Sequence, residues 1–273
     1  MKLLVLDGGG VYGVGQARIL DQVDTSKFDA FIGTSIGAAN ASILATGMNI
    51  NITNFFHEEM PKIFRGHWWR RFKPWTPKYS DKALNKSLKE LFDSLYLGDV
   101  KKPLFICAVN IKTEKLKVFF SGDHEDAGIL LWETVRCSTA APTYFNPYKG
   151  YTDGGIYTNY PVVAGIAGVA AKFGCKVEDV EVCSIGTGIN TRIKNVNQMS
   201  YLSWGLWLLR AMLNGSSSSI NDYIARQLPL KKYTRIQFCR EPNWSMDSAS
   251  DMLKAEVAWK DEIDRGIRII QAF

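Results

Sequence analysis

The stretch that most restricts this chain is Ile32-Gly33-Thr34-Ser35-Ile36-Gly37, preceded by Ala30-Phe31 and followed by Ala38-Ala39-Asn40-Ala41-Ser42-Ile43-Leu44. The run Ala30 to Ile32 reads as a buried strand, and Ala38 to Ala45 as a helix of good helix formers. G-x-S-x-G between a strand and a helix is the sharp turn that lifts a serine hydroxyl clear of a sheet. Gly33 and Gly37 are needed because the turn brings backbone segments so close that a Cβ would collide. Ser35 then stands at a helix N-terminus, where unpaired N–H groups and the positive end of the dipole favour a developing anion. A small-residue turn that only packs well is the bland alternative, so the motif must be weighed by its company.

That company begins upstream. Leu3-Leu4-Val5-Leu6 is a short, continuous apolar strand, as at the centre of a parallel sheet covered on both faces. It ends in Asp7-Gly8-Gly9-Gly10-Val11-Tyr12-Gly13, with a helix expected from Val14 to Val23. Gly8, Gly10 and Gly13 satisfy G-x-G-x-x-G and raise a dinucleotide-binding reading. The acidic residue that reading needs about 20 positions on, at the end of a second strand, is poorly matched. Asp29 is the nearest candidate and precedes the strand instead. A phosphate loop is excluded because no G-K-[ST] follows. The other use of such a loop is to aim backbone N–H groups at a carbonyl oxygen that becomes an oxyanion. With a serine elbow on the next strand, that use is favoured.

From Asn49 to Gly98 the pattern turns helical and polar. Thr53 is a candidate cap for a helix through Phe64, kinked by Pro61, and Asp81 for a second with Leu84, Leu88, Leu91 and Leu95 on one face. Between them, Phe64 to Trp75 mixes Trp68, Trp69 and Trp75 with Arg65, Arg70, Arg71 and Lys73 and has no acid. Aromatics among cations favour a membrane interface, and packing of the tryptophans onto the domain is the alternative. Pro103 to Ile111 and Lys115 to Ser121 read as a hairpin, and Ile129 to Cys137 as a short helix stopped by Ser138-Thr139-Ala140-Ala141-Pro142.

Asp153 closes a strand before Gly154 and Gly155, a carboxylate on a tight loop; an Asx turn capping Gly155 is its structural alternative. Pro161 can open a helix through Phe173, and Val180 to Ile185 is another buried strand. Gly215 to Ser219 reads as a surface loop, Tyr233 to Cys239 as a late strand, and Ala249 to Ala272 as one or two helices. No repeat or linker interrupts the sequence.

Composition enters as a set of exclusions. The chain has 273 residues, 46% hydrophobic and 22% charged, the profile of an ordinary globular protein. Its formal net charge of +6 suits an anionic partner such as a membrane surface without demanding one. The N-terminal apolar run is too short for a signal-peptide core, and the longest apolar stretches fall short of a membrane span. Five widely spaced cysteines with no C-x-x-C pair fit structural thiols in a reducing compartment. A cytoplasmic protein, peripheral at membranes, is expected.

Three blocks, Asp7-Gly8-Gly9-Gly10-x-x-Gly13, Gly33-Thr34-Ser35-Ile36-Gly37 and Asp153-Gly154-Gly155, resemble the patatin-like phospholipases in type and order. Ala140-Ala141-Pro142 and Ser184-Ile185-Gly186-Thr187-Gly188 look like the same family. The resemblance covers most of Leu3 to Gly188 and is vague beyond Met199. It implies a three-layer α/β/α sandwich with a mostly parallel central sheet, a serine–aspartate dyad, and lipid acyl hydrolysis. By that resemblance Ser35 is the nucleophile, Asp153 the general base, and the first glycine block the oxyanion hole. Many members carry Arg or Lys where this chain has Tyr12, which can donate a hydrogen bond but brings no charge.

The residues read by themselves are compatible with the dyad. The chain offers three histidines, His57, His67 and His124, each in a polar or basic loop-like context. His57-Glu58-Glu59-Met60 lacks the second histidine of a zinc motif. Asp153 can enter the same strand-end crevice as Ser35, and burial must raise its pKa for it to act as a base. The expected oxyanion donors are Gly8, Gly9, Gly10, Gly13 and Ile36. The expectation is one domain over 1–273, with a helical and Trp/Arg-rich insertion at about 49–98 as a lid. It takes a lipid or ester substrate, touches a membrane transiently through Trp68, Trp69, Arg70, Arg71 and Trp75, and needs no cofactor, metal or nucleic acid. A nucleotide-binding module using Gly8 to Gly13, or a catalytically silent lipid-binding protein, are the alternatives.

Overall fold

The short apolar runs become strands because each is long enough for a sheet and too short for a helix. The computed structural model describes residues 1–66, 76–190, 200–213 and 217–273. The strands are β1 (Lys2–Leu6), β2 (Ala30–Thr34), β3 (Leu104–Asn110), β4 (Lys115–Phe120), β5 (Tyr151–Asp153), β6 (Glu181–Ile185), β7 (Ile189–Asn190), β8 (Lys232–Ile236) and β9 (Cys239–Arg240). The main sheet runs β4-β3-β2-β1-β6-β8, with β5 also on β3, and β7 pairs with β9 apart from it. From β3 to β8 neighbours are parallel, and only β4 and β5 pair antiparallel, both with β3.

The helices are α1 (Gly13–Leu20), α2 (Ile36–Thr46), α3 (Ile52–Ile63), α4 (Asp81–Phe92), α5 (His124–Ala127), α6 (Leu131–Ser138), α7 (Gly155–Thr158), α8 (Val162–Phe173), α9 (Tyr201–Ala211), α10 (Ser217–Gln227), α11 (Ala249–Ala258) and α12 (Lys260–Gln271). Side chains alternate across a strand, so one strand feeds two cores. Leu4 and Leu6 pack with Val14, Ala17, Phe56 and Ile263 from α1, α3 and α12. Leu3 and Val5 pack with Val162, Ile166 and Val169 of α8 and Ala225 of α10. The result is the three-layer α/β/α sandwich around a mostly parallel sheet.

One register detail positions the site. β2 pairs with the first half of β3, ending at Thr34 opposite Cys107. β5 then pairs with the second half, starting at Asp153 opposite Ala108. The two short strands follow one another along β3, so the residue leaving β2 and the residue closing β5 meet.

Local capping differs from the sequence reading. The N-cap of α3 is Asn51, whose side chain accepts from Asn54 N–H at 2.7 Å, and not Thr53. Thr53 instead gives its N–H to Asp21, which also accepts from Ile52 N–H, each at 2.8 Å. Asp21 is the C-cap of α1, so one carboxylate joins two helix ends. Ser80 caps α4, with Asp81 in its first turn. Both shifts arise because a residue with an extended backbone outside the helix caps better than the first helical residue. Ser217 to Ser219 are helical rather than loop, since α10 is held by its own tertiary bonds: Asn221 donates to Tyr160 O at 2.7 Å and Ala225 is core. Helix α1 stops at Leu20, short of Val23.

The helices of the 49–98 region belong to the core, with Ile52, Phe56, Met60, Leu84, Leu88 and Phe92 all buried. Trp68, Trp69, Arg70, Arg71 and Trp75 lie outside the described residues, as does His67. Among the described residues no helix is long and apolar enough to cross a membrane. All five cysteines are free, and only Cys239 is exposed.

The elbow tolerates no added atom. A Cβ on Gly37 would overlap the carbonyl oxygen of Leu6 and press on that of Asp7, and one on Gly33 would overlap Gly37 O. Gly37→Ala is therefore expected to lower the urea midpoint at unchanged m-value, a loss on the order of 1–3 kcal/mol. A midpoint equal to wild type would show that the elbow has room to spare.

Candidate active site

Ser35 is forced into an unusual backbone conformation by the turn it occupies. It leaves β2 and enters α2 with φ 54° and ψ −125°, a left-handed region that a side chain rarely adopts. Its N–H donates to Ser138 Oγ at 2.8 Å, and that hydroxyl in turn donates to Cys107 O at 2.6 Å. Ser138 is fully buried. It thus ties the strained turn to β3 and leaves the Ser35 side chain as the half-buried tip.

That tip meets Asp153. Ser35 Oγ donates to Asp153 Oδ2 at 2.6 Å, while Asp153 Oδ1 accepts from Gly155 N–H at 2.7 Å. The Asx turn and the serine contact therefore coexist, one on each carboxylate oxygen. Asp153 is 2% exposed, and no cation pairs with it among the described residues. Burial is the main influence and pushes its pKa from 3.8 to about 6, against the opposing pull of the Ser35 hydroxyl and the Gly155 N–H.

The five residues expected as oxyanion donors divide into two groups. Gly8 N–H is spent on Asn159 O at 3.0 Å, and Gly13 N–H on Gly10 O and Val11 O. Neither is available, which corrects the expectation for both. Their role is spatial: a Cβ on Gly8 would overlap Asn159 Oδ1, and one on Gly13 would lie 2.8 Å from Ile36. Gly9, Gly10 and Ile36 have no backbone N–H partner among the described residues, and all three line the same cavity as Ser35 and Asp153. Gly9 has φ 157° and Gly10 φ 59°, which only glycine adopts readily.

This glycine loop is clamped from behind. Gly8 O accepts from Thr187 Oγ1 at 2.5 Å and from Asn159 Nδ2 at 3.2 Å. Val11 N–H donates to Met246 O at 2.9 Å, and Asp7 takes a bidentate contact from Arg235 at 2.8 and 2.5 Å. Buried Gln16 donates to Asp7 O and Ile185 O and accepts from Asn40. Of these partners Asp7 and Thr187 lie in blocks that the sequence singled out, whereas Gln16, Asn40, Arg235 and Met246 carried no signal there. Ser138 was visible only as a small residue ending a helix, and Asn159 carried no reading of its own.

The cavity has about 630 Å³ of empty space, its open mouth included, and its walls are Met60, Ile63, Phe64, Leu84, Phe145, Leu213 and Met246. The lining is apolar except for Ser35, Asp153, Thr139, Asn159 and Tyr144. Neither histidine among the described residues reaches it. His57 faces Glu256 at 2.8 Å and His124 begins α5. Tyr12 does not face it either: the ring is fully buried against Trp244 and Trp259, with Arg240 5.0 Å from its face. Its hydroxyl has no partner among the described residues, so the hydrogen bond it could have offered to a ligand is directed into the core. Among the described residues no group of three His, Cys, Asp or Glu side chains gathers as metal ligands. Asp29, the candidate ribose ligand, accepts from Lys2 N–H at 2.7 Å at the far end of β1, which removes the support for a dinucleotide site.

A family model described as patatin-like phospholipase matches residues 4–166. The chain belongs to that family. Among curated relatives, a cGAMP-activated phospholipase of Pseudomonas aeruginosa is 28% identical over 272 residues, spanning 90% of this chain and 80% of the relative. Patatin-like protein 4 of Arabidopsis thaliana is 28% identical over 260 residues, spanning 75% of this chain and 64% of that protein. The crystal structure of VipD from Legionella pneumophila aligns with 97% of this chain and 67% of its own at 16% identity, with a TM-score of 0.46.

The patatin-like carboxylate carries a cost that can be measured. A carboxyl whose pKa is raised in the fold adds stability below its unfolded pKa, and that contribution is lost as pH rises through the folded value. Asp153→Asn keeps the shape and removes the charge. It is expected to raise the unfolding free energy at about pH 8 by an amount on the order of 1–3 kcal/mol, read as a higher melting temperature, with the gain shrinking toward about pH 4. A variant no more stable than wild type at the higher pH would contradict the buried, unpaired anion.

Proposed function

We propose that this patatin-like chain is a lipid acyl hydrolase that cleaves carboxylic esters through a Ser35–Asp153 dyad and an acyl-enzyme. The observation that carries the reading is the 2.6 Å contact from Ser35 Oγ to the Asp153 carboxylate at the floor of an apolar cavity. In the first half-reaction the Ser35 proton passes to Asp153 Oδ2 as Oγ attacks the ester carbonyl carbon. The carbonyl oxygen becomes negative and is held by the N–H groups of Gly9, Gly10 and Ile36, reinforced by the N-terminal end of α2. Collapse expels the alcohol, which takes the proton from Asp153. In the second, water gives a proton to Asp153 and attacks the acyl carbon. Ser35 is reprotonated as the fatty acid leaves. Each step balances without a metal or cofactor.

The cavity walls suit the acyl chain of a lipid, and helices α3 and α4 supply much of them through Met60, Ile63 and Leu84. We read that region as a wall and lid of a single catalytic domain. The substrate sits in membranes, so the enzyme must touch one transiently. Its five unpaired cysteines support a reducing compartment such as the cytoplasm.

Ser35→Ala and Asp153→Ala are each expected to lower turnover of a soluble short-chain ester by several orders of magnitude while the protein stays folded. Robust turnover by either variant would end the dyad reading. Because Asp153 must be ionised to accept the proton, kcat/KM should fall about tenfold per pH unit below about 6 and level off above it. A profile flat down to about pH 4 would assign the base elsewhere. Product analysis with phosphatidylcholine, its lyso form and a monoglyceride then identifies the bond cleaved.

A further inference from the structure

Helix α9 has an apolar face with nothing among the described residues covering it. Trp204 is 49% exposed, Trp207 37% and Leu208 51%. Their spacing of three and four residues puts them on one side of the helix. The two indoles meet edge to face, 5.4 Å between ring centres, and so form one contiguous patch. Monomeric soluble proteins seldom leave such groups together in water.

The patch adjoins the catalytic cavity. Two residues beyond the end of α9, Leu213 is buried and lines the cavity beside Ser35 and Asp153. A Cβ added to Gly155 would lie 3.3 Å from the Leu213 side chain. At 1.5 Å per residue, Trp207 is about 9 Å along the chain from Leu213 and Trp204 about 14 Å. The patch therefore lies on the segment that leads directly into a wall of the cavity, about 14 Å or less along the chain from Leu213.

The surrounding sequence favours an anionic contact. From Val182 to Asn221 the chain carries no aspartate or glutamate, within a protein of net charge +6. Tryptophan on a helix without acidic neighbours is the residue type that settles at headgroup depth, with the ring in the apolar boundary and the indole N–H in the wet layer.

We propose that α9 is the docking helix of this enzyme, laying Trp204, Trp207 and Leu208 into the surface of an anionic phospholipid bilayer and so holding the cavity mouth against its substrate. The proposal rests on the acyl hydrolase reading for its purpose, but the contact itself is tested without catalysis. A second copy of the chain is the rival occupant of the patch.

The test uses the full chain, its Ser35→Ala variant and a Trp204→Ala/Trp207→Ala variant. Sedimentation with unilamellar vesicles of phosphatidylglycerol and phosphatidylcholine reads binding. The tryptophan variant is expected to bind at least about tenfold more weakly than wild type, while Ser35→Ala binds like wild type. Hydrolysis of a soluble short-chain ester by the tryptophan variant should stay within about twofold of wild type, and hydrolysis of vesicle lipid should fall with binding. Unchanged vesicle binding overturns the proposal. An equal loss on soluble and vesicle substrates also overturns it, since the tryptophans then support the folded site. Light scattering showing that the substitutions dissolve an oligomer assigns the patch to a second copy. If wild type sediments in a tryptophan-dependent way yet hydrolyses no ester, the docking helix stands and the hydrolase reading falls.

Discussion

The site exists because β3 is longer than β2. Two strands too short to span it share one edge of it: β2 covers the stretch up to Cys107, and β5 takes over at Ala108 from the opposite direction. A parallel strand thus delivers a serine and an antiparallel one an aspartate to neighbouring register positions. Backbone hydrogen bonds set that meeting before any side chain contributes, so the Ser35–Asp153 distance inherits the rigidity of the sheet. The joint at Cys107 is crowded accordingly. Its carbonyl oxygen takes the Ser138 hydroxyl, and a Cβ on Gly154 would overlap it.

Around this joint the chain spends its buried polar groups on fixing backbone. Ser138 holds the N–H of Ser35, Asn159 and Thr187 hold Gly8, and the Met246 carbonyl holds Val11. The Arg235–Asp7 pair anchors the residue just before the glycines, with Arg235 also 3.8 Å from the Tyr160 ring. Donors held in this way need no rearrangement when charge develops, and that is how a preorganised site lowers a barrier. Against these held groups, the N–H groups of Gly9, Gly10 and Ile36 have no partner among the described residues and face the cavity.

The parts of this design that are local were readable from the sequence. Gly33 and Gly37 flank Ser35 because a turn of six residues dictates them, and Asp153-Gly154-Gly155 carries its own Asx turn. Strand lengths and the parallel core followed from apolar runs such as Leu3 to Leu6. Contacts over long separations were not readable. Ser138 is 103 residues from Ser35 and Arg235 is 228 from Asp7, and a lone serine or arginine has no local signature of such a partner. The same limit explains the caps: Asn51 and Ser80 act one or two residues before the positions the pattern suggested, since Asp21 on another helix serves Thr53. It also explains Tyr12, whose direction is set by Trp244 and Trp259 from the far end of the chain.

The unpaired carboxylate at Asp153 has an evolutionary consequence. Since burial disfavours the charged form that chemistry requires, substitutions that silence the site relieve strain in the fold. A lineage released from the need to hydrolyse lipids would lose Asp153 downhill, keeping the sandwich, the apolar cavity and the clamped glycine loop intact as a ready-made pocket for fatty ligands. The aspartate in this chain stands against that slope, which is what the proposed chemistry requires of it.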